Sequence, residues 1–193
     1  DIILLDDNYA SLISAIHEGR TIYQNILKAI TYLLSSNLSE LSLIFFAILF
    51  GLPTPLLPTQ ILWMNLVTDG LPAMALASDN KAHGILMQKP RSPNEPILTM
   101  KRITLISLIG FGLTGVLLLI FYSLLLNNYS ETLSRTVIFN VLIFSHMGIA
   151  FFIRGRNIFR FNKFLIIAIL FTILLQIIIT TTPSLRTIFH LGY

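Results

Sequence analysis

The sequence predicts an all-α membrane protein: a polytopic helical bundle of about five transmembrane helices with an N-terminal cytoplasmic stalk helix. Three observations lead there. Of the 193 residues 54% are hydrophobic and only 11% charged, and the mean hydropathy is +0.78, far from the balance of a soluble domain. Apolar runs near the ~20 residues needed to cross a bilayer recur along the chain. Between those runs, lysines and arginines gather in short segments, as the positive-inside rule expects of cytoplasmic loops.

Residues 1–27 come first, read as the end of a soluble domain followed by the stalk. DIILLDDN has the pattern of a buried strand, Ile2 to Leu5, ending in acidic turn residues. A single strand does not fold alone, so a soluble domain is expected upstream. Over residues 8–27, Leu12, Ile16, Tyr23, Ile26 and Leu27 fall roughly on one helical face among Ser, His, Glu, Arg and Gln. This predicts a helix standing out of the membrane and running straight into the first span. Nothing at this end resembles a cleaved signal peptide.

Residues 28–193 then form a transmembrane domain with spans near 28–50, 57–77, 103–126, 136–153 and 163–182. The connections are GLPTPLLP, the long SDNKAHGILMQKPRSPNEPILTMKR, NNYSETLSR and RGRNIFRFN, and the tail is TPSLRTIFHLGY. Eleven of the 13 lysines and arginines precede the first span or lie in or beside the second and fourth connections; Arg135 and Arg186 are left for the other side. The N-terminus is therefore expected in the cytoplasm and the tail outside. The net charge of +4 sits in these loops without interleaved aromatics, which argues against a nucleic-acid partner. Cysteine is absent, so disulfides and thiolate metal sites are excluded.

Of nine acidic residues, only Glu40 and Asp69 fall inside the apolar spans. An ionised carboxylate at mid-bilayer costs about 2.5–3.5 kcal/mol on insertion scales, so each needs a reason to be there. Asn37 precedes Glu40 by three positions, and Asn65, Thr68 and Asp69 are spaced i, i+3, i+4; each set shares one helical face. Two amides, one hydroxyl and two carboxylates are the hard oxygen donors that Ca²⁺ takes. Their side chains offer seven oxygens at most, nearly enough for one Ca²⁺ site and too few for two. Gly70 and Pro72 predict a helix break beside them, because Pro72 has no N–H for the carbonyl of Thr68. Interrupted helices expose carbonyls to a cation in transporters. Interhelical hydrogen bonding is the competing role, and it suits a lone Asn or Thr better than two carboxylates beside a Gly-x-Pro break.

Elsewhere the signals are weaker. His146 and Asn140 lie in the fourth span, and His146 suits either packing or the site, as a proton carrier or fixed positive charge. Gln176 in the fifth span reads as interhelical glue. GFGLTG, residues 110–115, follows no strand and reads as close helix packing rather than a phosphate loop.

GRTIYQNILKAITYLLSSNLSE, LPTQILWMNLVTDGLPAMAL and KPRSPNEPIL together resemble the C-terminal membrane half of P-type cation-transporting ATPases, most of all Ca²⁺-transporting ATPases of the sarcoplasmic-reticulum and bacterial type. The first two spans carry the specific match; spans three to five match in hydropathy and order. The resemblance implies that the five spans are helices five to nine of a ten-helix pump, with residues 1–27 the end of the phosphorylation domain and the stalk. Partners would be the lipid bilayer and the pump's remaining helices and cytoplasmic domains, in a bacterial inner or plasma membrane or an endomembrane. Ca²⁺ would be the transported ion, with ATP and Mg²⁺ used by the full-length protein and not bound by these residues, which hold no Asp-Lys-Thr-Gly phosphorylation motif. It also implies Asn37, Glu40, Asn65, Thr68 and Asp69 as ion ligands, and no catalytic residue here. VLIFSHMGIA departs from the pattern: His146 stands where two-site Ca²⁺ pumps carry an acid. One Ca²⁺ per cycle follows as an expectation, with His146 tuning the site or its proton coupling. A pump for Mn²⁺ or for Na⁺ and K⁺, and a stand-alone channel or structural bundle, remain the alternatives.

Overall fold

The computed structural model describes residues 9–80, 84–87, 92, 96–155 and 162–192. The strand expected at Ile2–Leu5 and most of KPRSPNEP lie outside the described residues. Every regular element among the described residues is helical.

Helix α1 runs unbroken over Tyr9–Leu49, 41 residues. At 1.5 Å per residue that is about 60 Å, roughly twice the hydrocarbon thickness, so about half must stand clear of the bilayer. The expected stalk and first span are thus one rod. Gly51 ends it: its φ of 70° lets Leu52 N–H turn back to the carbonyl of Ala47 at 2.9 Å.

The second span is helical but in three pieces: α2 (Pro58–Trp63), a π turn (Met64–Thr68) and α3 (Gly70–Ala77). Pro58 starts α2 where a missing N–H is harmless, and Leu57 N–H donates to Gln60 Oε1 at 3.0 Å. A single 3₁₀ turn, Ile85–Met87, follows in the long loop. Then come α4 (Met100–Leu126), α5 (Glu131–Arg154), α6 (Lys163–Thr181) and the short α7 (Pro183–Ile188). Ser130 and Asn162 cap α5 and α6 by accepting from Leu133 and Leu165 N–H. By length and composition α1, α4, α5 and α6 can each cross a membrane. The remaining expected span is not a continuous α-helix, because the π turn divides it.

Lipid inverts the usual arrangement along α1. Leu41, Phe45 and Ile48 are exposed, whereas Thr31, Ser35, Ser36, Ser39 and Glu40 are buried. Apolar side chains lose nothing by facing hydrocarbon, and polar ones must find partners inside. The hydroxyls bond their own backbone: Thr31 donates to Leu27 O and Ser35 to Thr31 O, both at 2.7 Å. The apolar face expected on the stalk is not the packed one throughout. Leu27 is buried, but Ile16 and Ile26 are exposed while Thr21 and Asn25 are buried. The stalk meets backbone carbonyls there, of Asp79 and of Ile85, and these call for polar donors.

Around α1 the bundle closes from two sides. Helix α4 lies along it, close enough at Gly110 that an added Cβ would sit 2.8 Å from Leu38. That supports close packing for the first glycine of GFGLTG, while Gly112 and Gly115 face open space. Helix α3 packs between α1 and α6, and α5 against α4 and α1. Tyr32, Leu43, Met64, Leu117, Phe139 and Leu142 fill the centre.

Candidate cation site

Glu40, Asp69 and His146 converge from α1, from the residue between the π turn and α3, and from α5. One ligand atom from each lies within 4.8 Å of the other two, and all three residues are buried. Asp69 is wholly inaccessible and Glu40 4% exposed.

The π turn delivers Asp69. Its N–H reaches back five residues to Met64 O at 2.8 Å, one residue further than an α-helix allows. Pro72 falls in the first turn of α3, where its missing N–H is tolerated. Gly70 is not demanded by space, since an added Cβ would meet only Asn65 O at 3.7 Å. The interruption expected at Gly70 and Pro72 therefore sits one turn earlier, in Met64–Thr68.

Asp69 Oδ1 accepts from the Tyr32 hydroxyl at 3.1 Å and lies 2.9 Å from His146 Nδ1. The ring's other nitrogen is 3.2 Å from Ser39 Oγ. Ser39 has one hydroxyl proton, and it goes to Ser36 O at 2.7 Å. Ser39 must then accept from His146, so Nε2 carries a proton. Thr114 on α4 holds the Ser39 turn from outside, donating to Ser39 O at 3.1 Å and Gly110 O at 2.9 Å.

Two carboxylate oxygens in the cluster, Glu40 Oε1 and Asp69 Oδ2, are buried with no hydrogen-bond partner. Glu40 Oε1 is 3.9 Å from His146 Nδ1, beyond hydrogen-bond reach. Buried acceptors without donors are expensive unless a cation completes them. Thr68 is buried beside Asp69 and uses its proton on Met64 O at 2.9 Å, which leaves its lone pairs available.

Asn37 and Asn65 do not join the cluster. Both are exposed, and Asn65 donates to Ile61 O at 3.2 Å. Three positions along an α-helix is about 60° short of a full turn, so Asn37 emerges at the edge of the face that carries Glu40 inward. Asn140 and Gln176 serve elsewhere: Gln176 donates to Asn140 at 3.0 Å and accepts from Trp63 Nε1 at 3.2 Å, as the glue reading of Gln176 expects. Sequence reasoning missed Tyr32 and Ser39. Their signal was position, one α-helical face shared with Glu40 through Ser36.

A family profile described as "Cation transporting ATPase, C-terminus" matches residues 53–192. The chain is similar over 98% of its length to a protein of Bacillus subtilis named "Calcium-transporting ATPase", at 42% identity. It is 36% identical, again over 98% of its length, to "Calcium-transporting ATPase 1" of Bacillus cereus. It is 38% identical over 84% of its length to a Plasmodium falciparum "Calcium-transporting ATPase". The chain spans only 22%, 24% and 13% of those three proteins.

Proposed function

The chain belongs to the family of cation transporting ATPase C-terminal regions, and from that premise we propose that it is the ion-binding membrane part of an ATP-driven P-type Ca²⁺ pump. The observation that carries the reading is the buried Glu40–Asp69 pair, each with an oxygen lacking a partner, set beside an interrupted helix. Carboxylates kept inside a membrane bundle without donors are suited to a divalent cation that comes and goes.

Glu40 and Asp69 are the charged ligands, and Thr68 adds its hydroxyl. Asn37 and Asn65 complete the oxygen set on the exposed side, where helices of the full-length pump outside this chain would cover them. His146, held on Asp69, keeps a positively polarised group where a second divalent ion would otherwise sit, which limits the site to one Ca²⁺. The stalk half of α1 is cytoplasmic, as the lysine and arginine distribution supports. ATP and Mg²⁺ act in the cytoplasmic domains of the whole protein, through an aspartyl-phosphate. Phosphorylation then moves the stalk, and the ion leaves on the other side by alternating access.

The test is ATP-driven ⁴⁵Ca²⁺ uptake by vesicles containing the full-length protein, wild type beside Asp69→Asn. Uptake in the wild type and its loss in the variant support the reading. Uptake untouched by the variant returns Asp69 to helix packing. A wild type that moves no Ca²⁺ removes the ion assignment, and Mn²⁺ and Na⁺ are then tested in the same vesicles.

A further inference from the structure

A third buried carboxylate, Asp79, lies two residues beyond α3, and the ion site makes no use of it. Its side chain is fully inaccessible. Oδ2 accepts from Lys28 Nζ at 2.9 Å and Arg154 Nε at 3.3 Å. Oδ1 accepts from Arg154 Nε at 3.2 Å, Asn162 Nδ2 at 2.9 Å and the N–H of Asn80 at 3.0 Å. Its backbone carbonyl accepts from Asn25 Nδ2 at 2.6 Å, and Asn25 Oδ1 in turn takes a bond from Lys28 at 3.2 Å. One residue thus joins the middle of α1, the end of α3, the last turn of α5 and the cap of α6.

The placement matters for the cation site. Asp69 and Asp79 bracket α3, whose eight residues make a rod about 12 Å long. Lys28 and Glu40 lie on the same uninterrupted α1, twelve positions apart and so about 18 Å along the axis. Lys28 and Asn25 therefore pin the end of the helix that positions Asp69 to the helix that carries Glu40. With that clasp closed, α1 cannot slide along α3 without breaking buried charged bonds. Removing one partner from such a group leaves the others buried and uncompensated, which makes its geometry discrete rather than elastic.

We propose that Asp79, clasped by Lys28 and Asn25, is a positioning residue that sets the axial register of α1 against α3, and through it the spacing of Glu40 and Asp69 for the cation. This rests on the reading of those two residues as ion ligands. A stalk displacement reaches the site through the clasp, because α1 is one rod from the stalk to Glu40.

The experiment uses full-length pump in vesicles and measures ATP hydrolysis against free Ca²⁺, and against Mn²⁺ if Ca²⁺ does not activate the wild type. The variants are Lys28→Met, Lys28→Arg and Asp79→Asn. Lys28→Met removes the charged α1 donor and leaves Asp79 its side-chain bonds from Arg154 and Asn162 and its carbonyl bond from Asn25. The expected result is a half-saturating cation concentration raised about fivefold or more in Lys28→Met, with the KM for ATP unchanged and Lys28→Arg near wild type. Asp79→Asn is expected to shift in the same direction. Unchanged cation dependence in Lys28→Met overturns the proposal, as does an equal shift in Lys28→Arg and Lys28→Met. So does a parallel fall of all activity with the amount of folded protein. The wild-type Ca²⁺ curve tests the ion assignment by itself; the ratio of variant to wild type, read with the activating cation, tests the clasp.

Discussion

Asp69 and His146 meet at 2.9 Å inside the bundle, a carboxylate from the second span against an imidazole from α5. The imidazole's far nitrogen is a donor to Ser39, so the ring faces Asp69 in a fixed orientation. A group so held takes space and lone pairs that a second cation would need.

Replacing His146 by Glu removes that occupant and adds a third carboxylate to two that already hold partnerless oxygens. The expected outcome is that Ca²⁺ moved per ATP rises, since a fixed imidazole gives way to two further hard oxygens, which with backbone carbonyls and the helices outside this chain can hold a second ion. The measurement is the ratio of ⁴⁵Ca²⁺ uptake to phosphate release by the full-length pump. A ratio equal to wild type shows that His146 does not set the ion number.

Much of this arrangement was legible in the sequence. Four of the five apolar segments lie in helices long and apolar enough to cross a membrane, and the isolation of Glu40 and Asp69 among those segments marked the pair that the fold brings together. Other features depended on information that linear spacing does not carry. An i, i+3, i+4 pattern assumes 3.6 residues per turn, and the π turn at Met64–Thr68 breaks that assumption just where Asn65 precedes Asp69. Which face of a membrane helix is inward also follows from its neighbours, so Asn37 and the stalk isoleucines ended up exposed. Asp79 looked like a loop acid because its partners lie 51 and 75 positions away in sequence.

Gly110 offers a test of the helix contact that backs the site. An alanine Cβ there would lie 2.8 Å from Leu38 Cγ and Cδ2. Gly110→Ala is expected to lower stability by about 1–3 kcal/mol through overpacking. Leu38→Ala in the same chain should recover part of the loss, because the crowded atoms are gone. Thermal inactivation of the detergent-purified full-length protein reads both, and additive losses in the double variant would show that the two residues do not press on each other.

Gln176 bridges Trp63 and Asn140, which places it in packing rather than ion binding. Gln176→Leu should therefore destabilise the bundle by about 0.5–2 kcal/mol, the range of interhelical hydrogen bonds in membranes. Cation affinity per folded molecule should not change. A variant with normal thermal stability and weakened Ca²⁺ activation would instead put Gln176 in the ion path.

Asp79 carries a pH signature of its own. Burial alone would raise its carboxyl, but the hydrogen bond and charge of Lys28, the charge of Arg154 and the N–H of Asn80 outweigh burial and hold it below the ordinary aspartate value. Asn162 on α6 adds a neutral donor. A carboxyl depressed in the folded state stabilises fully above its unfolded value, about 3.9, and that contribution is lost as pH falls through the folded value. Asp79→Asn lacks it at every pH. The stability difference between wild type and Asp79→Asn should thus stay constant from neutral pH down to about 5 and shrink below about 4. Thermal midpoints of the two full-length proteins, measured side by side across that range, give the answer without needing the absolute acid sensitivity of either. A gap that holds steady to the lowest pH would mean that Asp79 is protonated in the fold already, and that the Lys28 and Arg154 contacts are not ion pairs.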